Sequence, residues 1–333
     1  MTSTLARRLV IGLFAVAFLL YPILVDNAYY RYVGVLLLMG MATATAWNVM
    51  GGFTGYISLG HSAFFGLGAY VLGLAVTKGG VSHWLMLPLA GLAVAVFALV
   101  IGYVSVQARG ASFVIVTIAL VYILNLMAQG WRDLTGGSAG LSIPQPFDLP
   151  RADRHLIYYY IFFGLFIVCI VCWWTISRSK FGMGLRAIRE DEDKAEAMGV
   201  PTTLFKVVAF AVSAGLTGVA GGLYAMWFGF IDPIFVFAVI VGADMVLMAM
   251  LGGIRHLYGP ALGALVVVPS SQVFLVEFGS TQIHLVAAGV LLAAVVLLMP
   301  EGIIPMARNL RERRRQTDSP PVHQPGAAPA EQR

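Results

Sequence analysis

The chain has 333 residues, 59% of them hydrophobic and 11% charged, with a formal net charge of +5 and a mean hydropathy of +0.85. A water-soluble body of this size carries about 25% charged residues, so soluble domains are excluded and the composition predicts an all-α, polytopic bundle of transmembrane helices. The positive balance does not argue for nucleic acid, because basic excess in membrane proteins collects on the cytoplasmic side.

A helix needs about 20 mostly apolar residues to cross a bilayer. In chain order such runs stand near 9–25, 33–49, 61–77, 85–106, 112–129, 156–177, 207–231, 235–252, 257–276 and 282–299, which predicts about ten spans. The first follows Arg7 and Arg8 and lacks a small-x-small cleavage site before Asp26, so it reads as an uncleaved helix rather than a signal peptide. With both termini cytoplasmic, the inner connections are 50–60, 107–111, 178–206 and 253–256. These and the two ends hold every Lys and Arg except Arg31, Lys78, Arg132, Arg151 and Arg154, as the positive-inside rule expects. An error of one span after residue 206 would put the basic loop 178–206 and the cluster Arg308–Arg315 on opposite sides.

Residues 1–307 are therefore predicted to form the membrane domain. The outer loop 130–155, with Gly136, Gly137, Gly140, Pro144, Pro146 and Pro150, reads as irregular. The tail 308–333 is polar and proline-rich and reads as a disordered cytoplasmic segment, its arginines suited to anionic lipid headgroups.

No catalytic constellation emerges. The six histidines are dispersed, and H-E-x-x-H, G-x-S-x-G and the G-x-x-x-x-G-K-[ST] phosphate loop are absent. Cys169 and Cys172 lie in an apolar run, where thiols stay protonated and inert, so neither a disulfide framework nor a metal site is expected. No catalytic residue, metal or cofactor is expected. Uphill transport would need an ATPase on another chain or an ion gradient.

Three segments stand out. Trp47–Tyr70 carries six glycines within 51–68, with Asn48, Ser58, His61 and Ser62 inside or beside spans. Two readings fit: tight helix packing, or a broken helix that lines a translocation path with its polar groups facing it. In Arg178–Pro201, Leu185, Ile188, Ala195 and Met198 fall on one helical stripe, with Arg186, Arg189, Glu190, Asp193 and Lys194 on other faces. The spacing predicts i,i+4 pairs Arg186–Glu190 and Arg189–Asp193 and a helix end at Gly199 before Pro201. Such a helix either lies on the membrane surface or fills a groove on a partner. In Met248–Ala264 the pair Gly252–Gly253 echoes Gly51–Gly52. Asp244 sits inside the eighth span, and an intramembrane carboxylate is a functional candidate, with a partnered structural group as the other reading.

At these segments the chain resembles permease subunits of branched-chain amino-acid ABC importers, the LivM type of the LivH/LivM pair. The likeness runs from about residue 35 to 305 and rests on NVMGGFTGYISLGHSAFFGLGAY from Asn48, GLSIP from Gly140, FGMGLRAIREDE from Phe181, AEAMGV from Ala195, LGG from Leu251, YGPALGA from Tyr258 and MPEGI from Met299. The resemblance implies a heterodimer with a LivH-type second permease, two ATPase subunits, and an extracytoplasmic substrate-binding protein, in a bacterial inner membrane. It also implies that Leu185, Arg186, Ile188, Arg189, Ala195, Met198 and Gly199 belong to the cytoplasmic segment that seats on the ATPases. The family's EAA-x-x-x-G pattern is degenerate here, with Lys194 inside it, and Arg255 stands where a small residue is expected. Asn48, Gly55, Ser58, His61, Ser62 and Asp244 are the candidate substrate path.

Branched-chain amino acids are the family's usual cargo; urea, short amides and other amino acids are carried by relatives. An ion-coupled secondary transporter is the rival class, and it would need a midplane acidic or histidine network. The sequence offers Asp244 deep in a span, with Glu277 and His284 near an outer end.

Overall fold

The structure is a computed structural model and describes residues 16–278 together with Val286 and Val290. Apart from Val286 and Val290, the predicted span 282–299 with His284 and the tail 308–333 lie outside the described residues, as does the beginning of the first span. A helical stretch covers 16–24. It is held against the later chain by Tyr159 and Tyr160, whose hydroxyls donate to the Phe18 and Leu19 carbonyls at 2.8 and 3.0 Å.

The helices follow as α1 (Ala28–Thr54), α2 (His61–Thr77), α3 (His83–Ser105), α4 (Ala111–Gly130), the short α5 (Arg132–Thr135), α6 (Arg151–Arg178), α7 (Lys180–Glu190), α8 (Glu192–Ala197), α9 (Thr202–Phe228), the short α10 (Pro233–Val236), α11 (Val239–Gly252) and α12 (Gly259–Phe278). Among the described residues seven helices are long and apolar enough to cross a membrane, and α2 is a shorter apolar helix. An all-α, multi-pass architecture is therefore present, while the tally of ten is not reached within the described residues. Eight of the ten predicted runs coincide with described helices, α10 and α11 together forming one.

α9 is the central element, packing on α3, α2 and α1, and α1 in turn packs on α6, α11 and α12. Small residues set these crossings. A methyl group on Gly68 would strike the Gly218 carbonyl, one on Gly221 the Phe65 carbonyl, and one on Gly263 the Met248 carbonyl. In a membrane, where burial in lipid gives no hydrophobic drive to helix pairing, such close backbone approach supplies the contact area.

The loops sort into two ends. At the predicted outer end, β1 (Leu141–Ser142) pairs antiparallel with β2 (Phe230–Ile231), Leu141 opposite Ile231. There Lys78 donates to the Asp133 carbonyl and the His83 ring bonds the Pro144 carbonyl at 2.7 Å. The loop predicted as irregular thus holds a short helix, a 3-10 turn over Gly137–Ala139 and the strand β1. Its glycines provide the left-handed turns at Gly136 and Gly140 that this path requires. At the other end, the 55–60 turn, the 106–110 turn and α7–α8 touch one another.

Candidate functional site

The first predicted path residues lie where α1, α2 and α9 meet. Gly55 ends α1 in the left-handed conformation (φ 76°), donating its N–H to the Gly51 carbonyl. A methyl there would crowd the Arg189 side chain at 2.9 Å. The glycine-rich segment is therefore an interhelical turn between α1 and α2, and its glycines serve both turn geometry and close packing. Trp47 Nε1 donates to the Ser58 carbonyl at 2.7 Å. His61 is fully buried, with Nδ1 3.1 Å from Ser58 Oγ and Nε2 2.7 Å from Ser213 Oγ. Ser213 gives its own hydroxyl hydrogen to the Ala46 carbonyl at 2.7 Å. Nε2 must then carry the ring hydrogen, and Nδ1 accepts from Ser58. The ring sits edge-on against Trp47, Phe64 and Phe210.

Ser58 and His61 thus satisfy each other and Ser213 inside protein. Asn48 and Ser62 differ: both are fully buried, yet Asn48 Oδ1 and Nδ2 and Ser62 Oγ have no hydrogen-bond partner among the described residues. Unpaired buried polar atoms cost about 1–3 kcal/mol each.

Asp244 lies elsewhere, on the wall of a cavity of about 200 Å³ framed by α1, α11 and α12. Thr43, Ser271 and Gln272 add polar groups to walls made by Met39, Phe65, Phe235, Met245 and Met248. Among the described residues nothing hydrogen-bonds or pairs with Asp244; Thr43 spends its hydroxyl hydrogen on helix carbonyls of Met39 and Gly40. Asn48, Ser58, His61 and Ser62 do not line this cavity. The two groups are linked by α11, whose Gly242 packs on the Leu59–Ser62 turn.

The third site is the inner end. The predicted single helix is two: Ser179 caps α7 by accepting from Gly182 N–H, and Asp191, extended at φ −164° and ψ 110°, caps α8 by accepting from Lys194 N–H. The break parts Arg189 from Asp193, and neither predicted pair forms among the described residues. Asp193 bonds Arg109 at 2.8 Å, Arg189 bonds the Gly52 carbonyl at 2.8 Å and Glu190 at 3.3 Å, and Arg186 donates to the Ser177 carbonyl. The apolar stripe, expected to lack a home, has one within the chain: Leu185 is 0% exposed, Ile188 3% and Ala195 3%. Met198, at 85%, and Met183, at 56%, face outward instead. Gly199 ends the segment at φ 86°, as expected.

Four residues that the sequence did not single out meet here. Lys206, 2% exposed, bonds Glu192 at 2.6 Å, the Val106 carbonyl at 3.0 Å and Tyr56 Oη at 3.2 Å. Tyr56 donates to the second Glu192 oxygen at 2.6 Å, and Arg109 lies 3.6 Å from Glu192. Burial would raise the Glu192 carboxyl, but the bonds from Lys206 and Tyr56 and the Lys206 and Arg109 charges outweigh it and hold it below its ordinary value. Burial and the same carboxylate push the Tyr56 phenol up. Lys206 read as one more inner-side charge. A lysine placed five residues into a span, after Pro201, was the available signal.

Comparison with known proteins agrees with this architecture. The family described as branched-chain amino acid transport system / permease component matches residues 9–299. The high-affinity branched-chain amino acid transport system permease protein LivM of Salmonella typhimurium is 28% identical over 287 residues, covering 78% of this chain and 66% of the relative. The chain therefore spans just under two thirds of that relative's length. LivH of Escherichia coli is 24% identical, covering 78% of this chain and 89% of its own. BraD of Pseudomonas aeruginosa is 27% identical, covering 78% and 90%. No solved structure matches the chain. With seven helices among the described residues long and apolar enough to cross a membrane, and a family match over residues 9–299, the chain belongs to the permease component family of branched-chain amino acid transport systems.

Proposed function

We propose that the chain is a membrane-spanning permease subunit of an ATP-driven importer in a bacterial inner membrane, translocating branched-chain amino acids handed over by an extracytoplasmic binding protein. Its partners in this reading are a LivH-type permease and two ATPase subunits. The observation that carries the reading is the family match over residues 9–299. The LivM, LivH and BraD relatives are named as permeases for the same cargo class. Both termini are cytoplasmic in this reading, because the basic loop 178–206 and the Arg308–Arg315 cluster then lie on the positive side.

The substrate path runs along α1, from the Asp244 cavity toward Asn48, Gly55, Ser58, His61 and Ser62. A free carboxylate among methionines and phenylalanines suits the ammonium and side chain of an apolar amino acid, since charged groups inside membranes are costly unless partnered. The ATPase-facing surface is the outward side of α7–α8, with Met198 as its apolar contact and Arg186 and Gly199 beside it. Leu185, Ile188, Arg189 and Ala195 hold that surface in place from behind.

The test is leucine uptake into vesicles holding the complete complex. Uptake that requires ATP and the binding protein supports the assignment; uptake driven by an ion gradient without ATP overturns it. Asp244→Asn, which removes the charge and keeps the shape, is expected to lower uptake at least tenfold. That corresponds to loss of ~1.4 kcal/mol of recognition.

A further inference from the structure

Glu192 stands at the meeting of four elements. Its two carboxylate oxygens are taken by Lys206 of α9 at 2.6 Å and by Tyr56 of the 55–60 turn at 2.6 Å, and Arg109 of the 106–110 turn lies 3.6 Å away. Lys206 places its three N–H bonds on Glu192, Tyr56 and the Val106 carbonyl, which exhausts its donors. Its ammonium also lies 4.8 Å from the centre of the Tyr56 ring, and that ring rests edge-on against Phe113 at 5.1 Å. A buried ion pair adds little stability compared with an apolar replacement, yet removing one partner is strongly disruptive. Such a pair fixes geometry.

What it fixes is α8. This six-residue helix exposes Asp193, Lys194, Glu196 and Ala197 and buries Ala195. Its polar hold on the spans falls on Glu192 inside the bundle, with Asp193 joined to Arg109 at 2.8 Å on the exposed side. From Tyr56 the chain runs two residues to Ser58, whose hydroxyl meets His61, which meets Ser213, which bonds the Ala46 carbonyl in the middle of α1.

We propose that Glu192, Lys206 and Tyr56 are positioning residues forming a latch that makes α8 and the 55–60 turn move as one body, so that displacement of α8 reaches the ends of α1 and α2 that flank the path. The inference rests on the reading that α7–α8 face the ATPases. The latch itself is testable without them.

Spin labels are placed at Ile57 and Glu196, both exposed, with Cys169 and Cys172 replaced by alanine. The interlabel distance is read in the full complex, nucleotide-free and ATP-trapped, and in the permease pair alone. The expected result is one narrow distance that is the same in both nucleotide states, and a broadened distribution in Glu192→Gln. Glu192→Gln is also expected to keep its ATPase subunits and its substrate-free hydrolysis while losing about fivefold or more of the stimulation by loaded binding protein. A merely structural role would lower assembly and both hydrolysis rates together. A wild-type distance that shifts by a helical turn, about 5 Å, on ATP trapping overturns the latch, as does Glu192→Gln with a narrow distance and full stimulation. If Glu192→Gln fails to accumulate, Tyr56→Phe, lacking one hydroxyl, is read by the same two measures. Loss of ATPase subunits from the wild-type chain would refute the importer reading, whereas the label distances in the permease pair would still judge the latch.

Discussion

Ile188 and Met198 lie on one stripe by sequence spacing, yet the first is 3% exposed and the second 85%. Periodicity reports which face of a helix is apolar; it does not report what covers that face. Ile188→Asp is therefore expected to destabilise the chain itself, by on the order of 2–5 kcal/mol from lost packing with the buried charge added, and to lower yield and melting temperature in detergent. Met198→Asp is expected to leave the melting temperature unchanged and to reduce co-purification of the ATPases about tenfold, as loss of one buried apolar anchor worth about 1.5–3 kcal/mol would do. A wild-type yield of ATPases with Met198→Asp removes Met198 from the coupling surface. The glycines divide by the same logic of surroundings. A methyl on Gly221 would meet the Phe65 carbonyl, whereas one on Gly164, midway along α6, meets open space. Gly221→Ala should lower the melting temperature, by a strain of about 1–3 kcal/mol. Gly164→Ala should hold or raise it, through a stability gain of about 0.5–1 kcal/mol, since alanine is the better helix former. Equal effects at both positions would show that the α2–α9 crossing has slack.

At the scale of elements, apolar length located the helices and the break within 178–201 escaped it. Eight runs read from hydropathy coincide with described helices because crossing a bilayer demands about 20 apolar residues whatever the tertiary fold. The kink at Asp191 depends on a local competition: an aspartate that bonds the N–H of Lys194 starts a new helix rather than continuing the old one. The sequence signal was present as Asp191 followed by acidic Glu192 and Asp193 in the first turn, where negative charge favours a helix start. The long-range partners of Glu192 could not be read, since Tyr56 and Arg109 lie far away in the chain. They do set a pH dependence. The Glu192 carboxyl is held below its ordinary 4.5. Its contribution to holding α8 is complete above that value and disappears as pH falls through the lowered one. The ratio of stimulated hydrolysis between the wild type and Glu192→Gln should therefore stay flat from about pH 6 to 8. An inflection in that ratio near neutrality would assign the effect to some other titrating group.

For the whole molecule, the contacts between loops test the sidedness that charge counting predicts. The turns at 55–60 and 106–110 and helices α7–α8, all assigned to the inner side, meet at Glu192, Arg109 and Lys206. Lys78, Asp133, Pro144 and the β1–β2 pair, assigned to the outer side, meet one another as well. An odd error in span count between these loops would have placed partners on opposite faces of the bundle. The candidate path was legible in part for a related reason. Asp244 was visible as a carboxylate within an apolar run, whereas Ser271 and Gln272 gain meaning from α12 crossing beside α11. Sidedness is open to direct measurement with single cysteines at Ser138, in the exposed outer turn, and at Lys180, exposed in the first turn of α7. Ser179 is unsuited, since its hydroxyl caps α7. The native thiols lie within α6, Cys169 fully buried and Cys172 half-buried, away from a water-borne reagent. In intact cells an impermeant maleimide should label the Ser138→Cys variant and leave the Lys180→Cys variant unmodified until the membrane is opened. Labelling of both in intact cells, or of Lys180→Cys alone, would reverse the orientation drawn from the basic residues and move α7–α8 away from any cytoplasmic ATPase.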